Sequence, residues 1–501
     1  MKIDRRSLIA AASTLPLVTS MRASAEAPHA AGESAAAQGP LVSEALVRFA
    51  SELRYEDLPA DVVHAAKRLL VDSVGCALAG WQTRKGTRAA GLMINMGGEP
   101  HSLVIGTRRR ISPTGASFAN AELMNALDFD AIPHLPPVTI PPILAAAEAG
   151  QKSGKDLIRA LVIAYEIGAR LSSASSQMAA SLLESNTTPE IFGINDEAIM
   201  ASALAIAAME GLSAEGMSYA LGLAGYYCPP QSSHDWETGS PKSNVKYTPV
   251  GWVAQGAVTA ALLAGTGFSA NPIVLDGPAG FPRFYGWPKW RGDRAVASLG
   301  QEWRIKDPDF KPYAACRYIH SRLDCVVALV SKHGLRPEQI ERIYSLGPPF
   351  VANPDQRDIR TQEDAQFSVP YMLAVAAHGI PIDARCQRPE LLADPSIYRM
   401  MAKIDWATHP RTTETKRADP HSFIASAEIT AGGQKYFKEV MAAGGTGTIA
   451  ELRLSDDALQ DKFIANSRTR IPAAQADRLA RALWQVEGQP NVRTLTSMME
   501  A

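Results

Sequence analysis

The sequence predicts a mostly α-helical protein, an all-helical bundle domain with an inserted smaller α+β lid domain. Three observations predict it. Between residues 42 and 280 Ala and Leu dominate, apolar positions recur three and four apart, and Gly or Pro marks the breaks. After Gly280 aromatics, prolines and short β-prone runs alternate with short helical stretches, and from Ser455 the helical pattern returns. The expected boundaries are therefore a bundle over 42–304, a lid over 305–452 and a return to the bundle over 453–501.

Residues 1–25 read as an export signal rather than as part of the fold. Asp4-Arg5-Arg6-Ser7-Leu8 is a twin-arginine-like start, residues 8–18 are a short apolar stretch, and Ala23-Ser24-Ala25 is an A-x-A cleavage site. The apolar stretch is too short to span a bilayer, which takes ~20 residues. The expectation is Tat export to the periplasm, with no stable membrane association after cleavage. Residues 26–41, rich in Ala, Gly, Ser and Glu, read as a disordered spacer.

Within the bundle, Ser153 with Asp156 forms a capping-box-like start for a helix using Leu157, Leu161, Val162 and Tyr165 on one face. Ser213 with Glu215 starts another, expected to end near Gly222. The Ala-rich spans 197–210 and 254–264 are apolar nearly all round and should be buried. In the lid, Arg342-Ile343-Tyr344-Ser345-Leu346 and residues 423–430 read as strands. Ala431-Gly432-Gly433 is a hairpin turn into Lys435-Tyr436-Phe437-Lys438-Glu439-Val440. Ser455 then caps a helix expected to continue through Ala480-Arg481-Ala482-Leu483-Trp484. The order bundle, lid, bundle creates a junction where a small-molecule site would lie.

With 501 residues and a net charge of −1, the chain is long enough for two cores and offers no electrostatic reason to bind nucleic acid. Five scattered cysteines (Cys76, Cys228, Cys316, Cys325, Cys386) form neither a C-x-x-C nor an iron–sulfur cluster motif, nor a disulfide framework, though an oxidising compartment would permit one bridge. His234-Asp235-Trp236-Glu237 lacks the i+4 partner of a metal site and reads as loop surface. Gly444-Gly445-Thr446-Gly447 lacks the Lys-Ser/Thr of a phosphate loop and reads as a turn.

Asn125-Ala126-Leu127-Asp128-Phe129-Asp130-Ala131-Ile132-Pro133-His134 places two carboxylates and a histidine on a bend at a helix end. With Ile140-Pro141, Ala145-Ala146-Ala147-Glu148 and residues 164–170 downstream, it resembles the signature region of the MmgE/PrpD family. That family contains 2-methylcitrate dehydratases, cis-aconitate decarboxylases and an iminodisuccinate epimerase. Further fragments follow in the family's order: Leu221-Gly222-Leu223-Ala224-Gly225, Leu275-Asp276-Gly277, Lys311-Pro312-Tyr313 through His320, and Asp364-Ala365-Gln366-Phe367-Ser368-Val369-Pro370-Tyr371.

The resemblance implies proton transfer at a carbon α to a carboxylate, without cofactor or metal, in a homodimer joined through helical faces. By resemblance Asp128 matches the first aspartate of a D-F-D-D stretch and orients or polarises its partners, and His134 is an acid/base candidate. Lys246 is a substrate-carboxylate lysine and Lys311 the second cleft lysine. Beside these readings stand plainer ones: a turn residue for Asp128, a turn histidine for His134, an exposed helix-start lysine for Lys246. Asp130 serves the turn. Arg317 is either a bidentate carboxylate ligand or a salt-bridged surface residue, and His320 is held by a local hydrogen bond.

The departures from the family pattern are as informative. Cys316 stands where cis-aconitate decarboxylase-like members have a histidine, Phe192 where another histidine precedes the Ala-rich helix, Phe350 near a cleft tyrosine, Ile132 for a threonine and Pro249 for a histidine. The site is thinned and more apolar, with Cys316, Phe192, Phe350 and Arg317 as its substrate-facing candidates. Three functions follow. The first is a cofactor-independent lyase, a dehydratase/hydratase or decarboxylase, acting on an organic acid with fewer carboxylates than citrate-like acids, with His134 and Lys311 dividing the acid and base roles. The second is an epimerase of a dicarboxylic or amino-dicarboxylic acid, in which Cys316 pairs with His134 or a lysine; the alternative for Cys316 is an inert buried thiol. The third is a non-catalytic periplasmic binding protein.

Overall fold

The computed structural model describes residues 41–175, 191–287, 290–349 and 356–501. The export signal (1–25), the spacer up to residue 40, and Phe350 lie outside the described residues.

The bundle opens with α1 (Val42–Glu52), α2 (Ala60–Ala79), α3 (Arg84–Met96), α4 (Pro113–Asn125), α5 (Pro136–Ala149) and α6 (Gly154–Ser175). Then come α7 (Ala198–Met209), α8 (Ala214–Tyr227), the short α9 (Ser233–Thr238) and α10 (Val250–Gly265). α4 and α7 are buried along almost their whole length and pack against α5, α10 and each other's neighbours. Ser153 and Asp156 exchange the expected capping bonds: the Ser153 amide donates to the Asp156 carboxylate (3.0 Å) and the Asp156 amide to Ser153 Oγ (3.2 Å). Ser213 caps α8 through the Gly216 amide.

Three details differ from expectation. α8 runs past Gly222 to Tyr227, because that glycine serves a close approach: a Cβ there would sit 2.5 Å from the Asn271 carbonyl oxygen. α10 is buried on one side only, with Trp252 and Leu262 about half exposed on the other. A two-residue antiparallel pair, β1 (Ser102–Leu103) and β2 (Arg110–Ile111), lies among the helices.

The smaller layer begins with α11 (Arg317–His333). A four-stranded sheet follows, made of β3 (Ile340–Gly347), β4 (Ile404–Thr408), β5 (Ala425–Ala431) and β6 (Gln434–Val440) in the order β4-β3-β5-β6. Only the β3–β4 pair is parallel. The expected hairpin joins β5 to β6, with Gly432 and Gly433 both at positive φ. β4, short and with one buried side chain, was not legible in the sequence. Ile340, Ile343, Ala427 and Ile429 pack with α11 and α12 (Val369–Ala377) into a second apolar core.

The chain then returns to the helical layer. α13 (Asp456–Ser467), capped by Ser455, packs on α2, where a Cβ on Gly75 would come within 3.2 Å of Phe463. The run breaks at 468–472, and Pro472 precedes α14 (Ala473–Trp484), so two helices stand where one was expected. All five cysteines are free thiols. No helix among the described residues is long and apolar enough to cross a membrane.

Candidate active site

The site is built on the C-terminal end of α4. A helix leaves its last carbonyls without intrahelical donors, and here the carbonyls of Asn125 and of the four residues that follow it each accept from a side chain elsewhere in the sequence. Lys246 Nζ donates to the Asn125 carbonyl (3.0 Å), Gln366 Nε2 to Ala126 (2.8 Å) and Gln387 Nε2 to Leu127 (2.9 Å). Lys311 Nζ donates to Asp128 (2.8 Å) and Lys462 Nζ to Phe129 (2.8 Å). Ile132 and Asp309 exchange both backbone hydrogen bonds at 2.8 Å. The bend is thereby fixed from both layers before any chemistry is considered.

Asp128 sits in this bend at φ +54°, and Lys246 at φ +60°. Left-handed backbone is uncommon outside glycine, above all for a long side chain, and persists where surrounding contacts impose it. The contacts are these: Asp128 Oδ1 accepts from Lys246 Nζ (2.8 Å) and from the Tyr247 hydroxyl (3.0 Å), and Oδ2 from Lys311 Nζ (2.7 Å). All three charged side chains are at most 1% exposed. Burial opposes ionisation of Asp128, but the charges of Lys246 and Lys311 outweigh it and hold the carboxyl well below its usual range. Burial presses the Lys246 ammonium below its usual value against the pull of Asp128. Breaking such a buried pair by deleting one partner costs ~3–5 kcal/mol, since it strands a charge.

His134 lies just before α5. Its Nδ1 is 2.6 Å from Asp130 Oδ2 and 2.9 Å from the Tyr247 hydroxyl, which also accepts from Asn125 Nδ2 (2.9 Å). Burial, reinforced by Asp128 and Asp130, lifts the Tyr247 phenol well above its ordinary value, so it keeps its proton and spends it on Asp128. The tautomer that fits puts the imidazole proton on Nδ1, shared toward Asp130, and leaves Nε2 free of protein partners among the described residues. His134 is the part of the cluster that reaches solvent, with 12% of its side chain exposed.

This placement corrects several expectations. Asp130 does more than serve the turn: it is fully buried and orients His134, which holds its carboxyl low despite burial. Lys246 is not an exposed helix-start residue. Both it and Lys311 spend their donors on Asp128 and on main-chain carbonyls. Arg317 is salt-bridged, as one reading expected, but it is buried and not at the surface. It is buried against Asp309 (Nε 3.1 Å), the Gly444 carbonyl (Nη1 2.6 Å) and Thr446 (Nη2 2.7 Å), and thus anchors the 444–447 turn. Burial, with Asp128 nearby, pushes the Cys316 thiol up.

Phe192 is buried with its ring edge-on to His234 (6.2 Å between centroids), and its carbonyl accepts from the Ser233 amide. His320 is buried, 3.0 Å from the Ala315 carbonyl, and burial with Arg317 and Lys311 keeps it neutral. Sequence reasoning missed Tyr247, Asn125, Gln366, Gln387 and Lys462. Asn125 and Gln366, inside recognised fragments, and Tyr247, adjacent to Lys246, carried a signal; Gln387 and Lys462 did not.

Comparison with known proteins bears on this cluster. A model of the MmgE/PrpD N-terminal domain matches residues 44–290, and one of the MmgE/PrpD C-terminal domain matches residues 313–487. The chain belongs to the MmgE/PrpD family. The family's N-terminal region contributes Asp128, His134 and Lys246, and Lys311 falls just before its C-terminal region. Curated relatives include a cis-aconitate decarboxylase-like protein, oryM, of Aspergillus oryzae, 28% identical over 66% of this chain and 72% of its own length. A cis-aconitate decarboxylase of Aspergillus terreus is 27% identical over 70% and 76%, and the human cis-aconitate decarboxylase 24% identical over 92% and 94%.

Proposed function

We propose that the chain is a lyase that moves a proton at the carbon α to a carboxylate of an organic acid. The observation that carries this reading is the Asp130–His134 dyad, with Nε2 left over, set on a buried floor of two ammonium groups and one carboxylate. In the dehydratase direction Nε2 takes the α proton, and the C–H electron pair moves into the adjacent carboxyl group. That pair then returns to expel the β-hydroxyl, which leaves as water by taking the proton back from Nε2–H. In the decarboxylase direction carbon dioxide departs with its electron pair left on carbon, and Nε2–H supplies the proton there. Lys246 and Lys311 stabilise the charge that develops while being already in place, so little reorganisation is needed. The decarboxylase names of the relatives support the lyase class.

The epimerase reading needs a second base across the stereocentre, and the raised Cys316 thiol does not supply one. A substrate with fewer carboxylates than citrate-like acids is supported by Cys316 and Phe192, and by lysines already committed to Asp128. A homodimer is supported by the half-exposed Trp252 and Leu262 of α10 and by the exposed stacked pair Tyr226–Phe284 (5.7 Å).

The test is to incubate the mature protein with a panel of mono-, di- and tricarboxylic and hydroxy acids and follow products by NMR. Loss of water or carbon dioxide from one of them is expected. A stereoisomer as sole product would select the epimerase instead, and fast turnover of 2-methylcitrate or cis-aconitate would refute the low-carboxylate proposal.

A further inference from the structure

We propose that Lys242 anchors a carboxylate of the substrate, across an aromatic wall from the Asp128 cluster. This deepens the lyase reading by naming the group that holds the acid, and its binding half can be measured without any turnover.

The case begins with how the other buried cations are compensated. Lys246 and Lys311 face Asp128, Lys85 faces Glu122, Arg170 faces Glu166 and Arg317 faces Asp309. Arg322 has no carboxylate but is wrapped by the carbonyls of Ser345, Pro348 and Ala407. Lys242 is 4% exposed and, like Arg322, meets main-chain carbonyls, but fewer of them and one only at long range. Its Nζ donates to the Glu237 carbonyl at 2.7 Å and, at 3.4 Å, to that of Trp236, and no carboxylate comes within ion-pair distance among the described residues. A buried ammonium with a spare donor and no counter-charge is costly unless something anionic completes it.

The two nearest acids do not complete it. Asp364 is committed as a cap: its Oδ1 accepts the Lys242 backbone amide (2.9 Å) and its Oδ2 the amides of Arg360 and Thr361 (3.1 and 2.8 Å). Burial pushes the Glu237 carboxyl up to about 7, against the pull of Lys242, so below that pH it is neutral.

Position connects this corner to the chemistry. The Lys242 ammonium lies 4.5 Å from the centre of the Trp236 ring and 5.9 Å from that of Phe367, while the Lys246 ammonium lies 5.8 Å from the same Phe367 ring. Trp236 in turn packs edge-on to Tyr247 (5.8 Å), the residue bonded to both Asp128 and His134. Cys316 is within electrostatic reach of Asp128, Lys311 and Glu237, and Lys242 is within reach of Cys316. A small organic acid with one carboxylate on Lys242 would present its reacting carbon to the cluster.

The test uses the mature protein with Lys242→Met and Lys242→Gln, titrated with acetate, succinate, itaconate and cis-aconitate by calorimetry, alongside unliganded thermal unfolding. Wild type is expected to bind at least one of these acids saturably, and the variants to bind it about 10- to 100-fold more weakly, as loss of a charge-assisted hydrogen bond implies. Their unliganded melting temperature should match or exceed wild type, since an uncompensated charge has been removed. Unchanged affinity in either folded variant overturns the proposal, as does the lack of saturable binding by wild type. Binding through Lys242 with no α-carbon chemistry would sink the lyase reading and leave the anchor standing. Turnover with an unchanged KM in Lys242→Met would do the reverse.

Discussion

Two corners of one site treat buried charge in opposite ways. Around Asp128 each charge has its complement: two ammonium groups and a phenol on one carboxylate, a histidine on the other. Around Lys242, which shares the Phe367 ring with Lys246, an ammonium is buried against carbonyls and rings alone. Pairing makes the first corner a rigid frame whose field is set before substrate arrives. Lack of pairing makes the second responsive to what binds. The difference separates groups that hold the machinery from groups that meet a ligand, a distinction that residue type alone does not give.

The comparison is most severely strained by Asp128→Asn, which leaves Lys246 and Lys311 sharing a neutral amide. A loss of ~3–5 kcal/mol in chemical denaturation is expected, together with loss of turnover. A change under about 1 kcal/mol would show that the lysines find other partners or lose their protons.

His134→Gln should behave differently, because the imidazole is at the cluster's solvent edge. Turnover should fall ~10²- to 10⁴-fold with a modest change in stability. A variant that unfolds would assign His134 to the frame instead.

The two corners should also respond to pH in opposite directions. Asp128 and Asp130 have depressed folded values, so the stability they contribute is present above the unfolded carboxylate range of ~4 and is lost as pH falls through the lower folded values. Glu237 is raised to about 7, so the folded state holds a proton that the unfolded chain releases, and stability declines as pH rises from the unfolded value toward 7. Glu237→Gln should flatten that decline, by about 1 kcal/mol once partial exposure is allowed for. An unaltered profile would remove Glu237 from the account.

The smallest effect belongs to Cys316→Ala. With its thiol raised and no charge to lose, the change should cost ~1 kcal/mol or less and leave turnover within a few-fold. A collapse of activity would revive the thiol as a proton carrier.

Much of the frame's location was legible in the sequence, and its wiring was not. The helix starts at Ser153, Ser213 and Ser455 and the Gly432-Gly433 hairpin are local features, written in consecutive residues. The donors to carbonyls 125–129 come from positions 246, 366, 387, 311 and 462, so their convergence exists only once both layers have packed. Arg317 misled for a related reason: a carboxylate-binding side chain looks the same whether its partner is a substrate or Asp309. Lys242, four residues from a lysine singled out by resemblance, carried no pattern, because what distinguishes it is a missing partner.

The central claim, that His134 Nε2 carries the α proton over the Asp128 frame, is tested most directly by deuterium incorporation. Wild type and His134→Gln would be compared in deuterium oxide, by NMR at the α carbon of whichever acid the wild type converts. The account predicts deuterium at that carbon in wild type and its loss in the folded variant. Undiminished exchange in His134→Gln would place the base elsewhere and contradict the assignment.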